Sequence, residues 1–216
     1  MSIQSPLPWG GIIEITVSSI GLFLAIIAVI LRFYARSLQR KAISIDDYLI
    51  VAGLVFTIAT VGVGYALVLN GGAGLHMVDA TPEETTIALK LFIPAPLMWA
   101  SSTFFVKLSI LFFYISIFTM PRLRTAVYIV ITLTVALILS VILRSFLLCR
   151  PFAYTWDKTI PGGVCGSQTK SYLAIAVANL FIDLALVSMP MPILWRLKMP
   201  VEKKVAVSAI LGLGIL

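Results

Sequence analysis

Charge is scarce in this chain. Of its 216 residues only 12% are Asp, Glu, Lys or Arg, where a soluble domain carries about a quarter. So little charge cannot cover a water-facing surface, and 60% of the residues are apolar. Mean hydropathy is +1.07. An ordinary soluble domain is excluded, and a disordered chain more firmly still. Histidine occurs once, as His76, and cysteine twice. A zinc-type cluster lacks ligands, so no metal is expected. No basic run with interleaved aromatics is present, which argues against a nucleic-acid partner. No serine elbow and no internal repeat is found, so common hydrolase chemistry and repeat-built transport have no support.

What the chain does have is long apolar runs. A bilayer crossing needs about 20 residues. Such runs are expected as helices at about 11–31, 48–69, 91–118, 126–148 and 171–195. A sixth begins near 205 and reaches 216, giving 12 residues. As a helix it would rise about 18 Å, short of the roughly 30 Å hydrocarbon core. A truncated product or an incomplete gene model is therefore expected. The fold class is all-α: one polytopic transmembrane helix bundle over 1–216.

Basic residues suggest an orientation, because inner loops are enriched in Lys and Arg. Arg32, Arg36, Arg40, Lys41, Arg122, Arg124, Arg196, Lys198, Lys203 and Lys204 fall on one side. Lys90, Arg150, Lys158 and Lys170 fall on the other. The first side is expected inside, which places the N-terminus outside. The net charge of +7 is mostly these loop residues. They suit contact with anionic lipid heads, and the inner loops could equally meet a cytoplasmic signalling partner. No cleaved signal peptide is expected, since no positive segment precedes the first run. The membrane is the plasma membrane or an endomembrane.

Two outer loops follow, at 70–90 and 149–170. The second holds Cys149 and Cys165, on the oxidising side. Pro151, Pro161, Gly162 and Gly163 supply turns between them. A Cys149–Cys165 disulfide is expected, closing about 17 residues and worth about 3 kcal/mol in the chain-entropy model. Two free thiols are the alternative. In the first loop Gly72, Gly74 and His76 do not form a nucleotide fingerprint, because they follow an apolar helix and not a strand. Thr81-Pro82-Glu83-Glu84 reads as a helix start, so the next helix should begin before the membrane.

Ionisable groups inside spans cost at least about 2.5–3.5 kcal/mol on insertion scales and are functional candidates. Glu14 and Arg144 lie near outer ends and can reach the interface. Lys107 and Asp183 lie deeper, on the third and fifth runs. Asn179 is four residues before Asp183, and Thr103 four before Lys107, so each pair shares a helix face. One polar seam between the two helices is expected. It is either a structural ion pair or part of a ligand site. His76 is a further ligand candidate.

These residues resemble a known pattern. RFYAR followed by DDYLIV (Arg32 to Arg36, Asp46 to Val51), the glycines with His76, KLSILFFYISIF (Lys107 to Phe118), CRPFAYTWD with the later Cys165, and the run from Asn179 and Asp183 to MPMPILWRLKMP occur in order over nearly the whole chain. Together they resemble the rhodopsin-like domain of fungal integral membrane proteins, a family with receptor-like and satratoxin-cluster members. The resemblance implies a seven-helix receptor-like bundle with an outside N-terminus, here lacking its last helix. Microbial rhodopsins attach retinal to a lysine of the last helix, whereas Lys107 is in the third run; neither retinal nor another cofactor is expected. The expected function is receptor-like sensing of an external small molecule or surface cue. The alternative is a membrane-embedded enzyme of a secondary-metabolite pathway, acting on a lipophilic intermediate through acid–base groups.

Overall fold

The computed structural model describes residues 9–38, 40, 42–72, 82–117, 120–157 and 159–191. The expected sixth run at 205–216, the last residues of the fifth, His76 and the Thr81 cap lie outside the described residues. Six helices are described: α1 (Trp9–Leu38), α2 (Ile45–Asn70), α3 (Pro82–Leu91), α4 (Pro94–Ile117), α5 (Pro121–Leu147) and α6 (Gln168–Ser188). Between α5 and α6 lie β1 (Cys149–Arg150), a 3-10 turn at Phe152–Thr155, and β2 (Val164–Cys165). Among the described residues five stretches are long and apolar enough to cross a membrane, with α3 and α4 sharing one of them. Helix is the required form there. Backbone N–H and C=O groups find no water in hydrocarbon and must pair within their own segment.

Two expected boundaries change. The first run extends as α1 to Leu38, so Arg32 and Arg36 sit on a helix and not in a loop. Both find acidic partners at the start of α2, which makes a charged helix end tolerable. The third run is broken: α3 ends at Leu91, Phe92 and Ile93 form a turn, and α4 starts at Pro94. Proline has no N–H to give the carbonyl four residues back, and its ring crowds that carbonyl. The Ile93 N–H instead bonds Lys90 O at 3.3 Å, and the Phe92 N–H bonds Ala88 O at 2.9 Å. Residues 82–90 of the expected loop are helical, in line with the helix start expected there.

Helix α4 is the hub. It packs on α2 and α5, while α1 packs on α2 and α6 on α5. The α2–α4 approach depends on Gly53, where an added Cβ would meet Val106 Cγ2 at 2.8 Å. Beside it Thr57 and Ser102 share a hydroxyl hydrogen bond of 2.7 Å, and Phe56 stacks on Phe105 at 5.4 Å. The apolar core lies between α4, α5 and α6: Leu111, Tyr114, Val127, Val130, Ile182 and Leu186. Val17, Phe23, Leu24 and Leu31 of α1 are exposed, as suits a helix facing lipid.

One end of the bundle carries a small antiparallel hairpin. Cys149 faces Cys165 and Arg150 faces Val164. The two cysteines are joined in a disulfide, with Cα atoms 4.1 Å apart. This disulfide end collects the start of α1, the end of α2, the start of α4, the end of α5 and the start of α6. The opposite end carries the arginines of α1.

Candidate functional site

Three features stand out along the bundle axis. At the end opposite the disulfide, four charges meet. Arg32 and Arg36 are four residues apart on one face of α1. Asp46 and Asp47 open α2, where acids favour the helix dipole. Each guanidinium spans both carboxylates. Arg32 reaches Asp46 Oδ2 at 2.5 Å and Asp47 Oδ1 at 3.2 Å. Arg36 reaches Asp47 Oδ1 at 2.8 Å and also pairs with Asp46 Oδ2. Asp47 Oδ2 accepts the Ser44 N–H at 3.1 Å, closing the helix start. Ser109 of α4 donates to the Asp46 carbonyl at 2.7 Å, and Arg32 lies 5.3 Å from the Phe113 ring centroid. Both aspartates are buried, at 2% and 0% exposure, which only complete pairing permits. The cluster clamps α1, α2 and α4 together. Reading the chain as spans and loops assigned these arginines to topology and missed the clamp. The signal was present in two arginines at i and i+4 with two acids at the next helix start.

At mid-bundle the structure brings Lys107, Asn179 and Asp183 together. Lys107 Nζ donates to Asn179 Oδ1 at 2.6 Å and pairs with Asp183 Oδ1 at 3.0 Å. Asn179 Nδ2 donates to Asp183 Oδ2 at 2.9 Å. All three acceptor oxygens are served in one closed ring. Thr103 is not part of it. Its hydroxyl returns to its own helix, to Trp99 O at 2.6 Å. It does line, with Lys107, Asn179 and Thr134, a void of about 10 Å³, room for roughly one water. Two partners occupy two of the lysine's N–H groups, and the third can present a donor to that void.

At the disulfide end a cavity of about 480 Å³ opens between α1, α2, α4 and α6. Its walls include Glu14 and Ser18 of α1, Thr60 and Gly64 of α2, Trp99 of α4, and Tyr172 of α6. Glu14 thus faces a cavity, and its Oε1 lies 3.5 Å from where a Gly64 Cβ would stand. Trp99 belongs to the walls of both the large cavity and the small void beside Lys107. The aromatic walls were not singled out in the sequence, because exposed and cavity-lining aromatics look alike there. Arg144 sits near the disulfide end, against the first turn of α6. Its Nε donates to Ser171 Oγ at 2.6 Å, and its guanidinium lies 3.5 Å from the Tyr172 ring centroid. It ties α5 to α6 and fixes one cavity wall. In the loop beyond, the Thr159 hydroxyl and N–H donate to Asp157 Oδ1 at 2.6 and 3.0 Å. The hydroxyl first, then the N–H, hold that carboxyl below the usual range. Among the described residues no group of three or more His, Cys, Asp or Glu could hold a metal ion.

Residues 31–216 match the fungal rhodopsin domain, and the chain belongs to that family. It is an integral membrane protein of helical fold. It is 29% identical over 178 residues to "Polyenoic acids biosynthesis gene cluster protein Ba17b" of Metarhizium anisopliae, covering 81% of this chain and 48% of that protein. It is 31% identical over 148 residues to a "SAT4 family membrane protein" of Emericella nidulans, covering 67% and 38%. It is 26% identical over 184 residues to "Receptor GIN3" of Arthrobotrys oligospora, covering 85% and 44%. The matched part spans about half the length of these relatives or less. No solved structure matches the chain.

Proposed function

We propose that this member of the fungal rhodopsin family is receptor-like and senses a small molecule at the disulfide end of its bundle. The cavity of about 480 Å³ carries the reading. Its size falls within the roughly 300–1,000 Å³ of small-molecule sites, and like them it is mostly apolar with few polar groups. In this proposal the disulfide end and the N-terminus face outside a plasma membrane or endomembrane. The disulfide supports that side, since such bonds persist in oxidising compartments. Trp99 stands between the cavity and the Lys107–Asn179–Asp183 ring, so a ligand moving Trp99 would press on the polar core. At the other end Arg32 and Arg36 are already neutralised by Asp46 and Asp47. A signalling partner or anionic lipid would therefore meet Arg40, Arg122 and Arg124, which are exposed. The reading invokes no cofactor.

A second reading is a membrane-embedded enzyme acting on a lipophilic intermediate of a secondary-metabolite pathway. The name of the Metarhizium relative favours it, and Glu14 would be its acid or base. One experiment separates the two. The full-length protein is placed in nanodiscs and screened by thermal unfolding against lipophilic small molecules, with product analysis on every hit. Saturable stabilisation that Gly64→Leu abolishes, with the molecule recovered unchanged, supports sensing. Conversion of the molecule, lost in Glu14→Gln while the fold is kept, supports the enzyme. Hits that ignore Gly64→Leu would remove the cavity from either account.

A further inference from the structure

We infer that the ligand of the disulfide-end cavity is a lipophilic amine, held by the Glu14 carboxylate. This rests on the small-molecule reading and names the class of molecule.

Among the described residues Glu14 is the one acid in the cavity wall, and no Lys or Arg lines it. Among the described residues no cation lies in salt-bridge reach of Glu14. Arg144 is engaged by Ser171 and the Tyr172 ring and is not among the wall residues. The other acids of the described spans differ. Asp46, Asp47 and Asp183 are each matched to a cation. Among the described residues Glu14 is thus an exposed acid without a cation partner, set in the wall of an apolar cavity. A carboxylate in apolar surroundings gains most from an opposite charge.

The rest of the wall fits such a guest. Trp99 and Phe92 are aromatic, and both are partly exposed. Aromatic faces attract ammonium groups, tryptophan best. Leu67, Val63 and Ile175 supply apolar surface for the body of the molecule. Gly64 leaves open the space against the carboxylate, so a bulky group can reach Glu14 from the cavity side. A carboxylate-bearing or phosphate-bearing ligand would meet repulsion and no cation. A wholly apolar one would make no use of the carboxylate.

The same chemistry is carried by a free amine and by an ethanolamine-headed lipid. The experiment therefore uses nanodiscs of phosphatidylglycerol alone and others containing phosphatidylethanolamine. The probes are lipophilic primary amines such as 2-(naphthyl)ethylamine and 1-adamantylmethylamine, each paired with its uncharged N-acetyl derivative. Binding is read by microscale thermophoresis on the full-length protein. In phosphatidylglycerol discs the amines should bind about tenfold tighter than their N-acetyl partners, the scale of one charge-assisted hydrogen bond. Glu14→Gln should erase that preference and leave N-acetyl binding unchanged, which also controls for partition into lipid. Gly64→Leu should weaken both members of each pair. Competition by phosphatidylethanolamine would assign the site to the lipid, and its absence would assign it to a free amine; both keep the inference. Equal binding of amine and N-acetyl forms, or a preference that survives Glu14→Gln, overturns it and leaves small-molecule sensing standing. Saturable binding by no probe, with Gly64→Leu indistinguishable from the parent, removes both.

Discussion

Replacing Lys107 by Met should destabilise the bundle more than replacing Lys107 and Asp183 together. Lys107 is 4% exposed and donates to both Asn179 and Asp183. Its loss leaves the Asp183 carboxylate with the Asn179 amide alone. Removing one partner of a buried pair costs about 3–5 kcal/mol. The Asp183 side chain keeps 21% exposure, so the lower end applies, about 3 kcal/mol. Asp183→Leu strands the ammonium and should cost a similar amount. The double variant Lys107→Met/Asp183→Leu strands no charge. It leaves only the Asn179 amide without partners, costing about 1–2 kcal/mol. The double loss should thus be smaller than either single loss, a strongly non-additive cycle. A domain of this size shifts by about 2–4 °C per kcal/mol. Each single change should lower the unfolding midpoint by about 6–12 °C, and the double by about 2–8 °C. The assay is thermal unfolding in nanodiscs at one fixed scan rate, because membrane proteins often unfold irreversibly. Additive losses would show that the two charges do not depend on each other, and the ring would not be a unit.

Other outcomes follow from the same geometry. Asp47→Ala should cost about 3–5 kcal/mol, since Arg32 and Arg36 lose a shared, fully buried acceptor; Arg36→Met in that background should restore part of the loss in the same assay. Cys149→Ser/Cys165→Ser should lower stability by about 3 kcal/mol through the freed loop, and reductant should have no further effect on that variant. Gly53→Leu should separate α2 from α4 and weaken crosslinking between cysteines placed at Thr57 and Ser102, whereas Gly62→Leu should not, since nothing stands within 4 Å of a Cβ there. Asp157 should titrate below the ordinary carboxylate range by NMR. Because the folded value is lowered, its support of the loop turn is complete above the ordinary value and lost as pH falls through the lowered one; Thr159→Val should return the titration towards normal.

The solvent of this protein was legible from its residues alone. A chain with 60% apolar residues and 12% charged ones can bury its surface only in lipid, and lipid allows a continuous run only as helix. That logic needs no partner, so five apolar helical stretches and their order could be read directly. The disulfide was readable for another reason: two cysteines share one short loop on the side expected to be oxidising, with Pro and Gly between them to turn the chain. The pairing of charges was another matter. Lys107 and Asp183 could be suspected because hydrocarbon tolerates neither alone, but Asn179 as third member and Thr103 as a non-member depend on how α4 and α6 are rotated. Arg32 and Arg36 look the same whether they face lipid heads, a partner or an acid. Only the return of α2 against α1 decides that they meet Asp46 and Asp47. The break at Phe92 is local proline chemistry, whereas the cavity beside it belongs to no single segment. Glu14, Gly64, Trp99 and Tyr172 come from four helices, and a shared wall exists only once packing has set the distances between them.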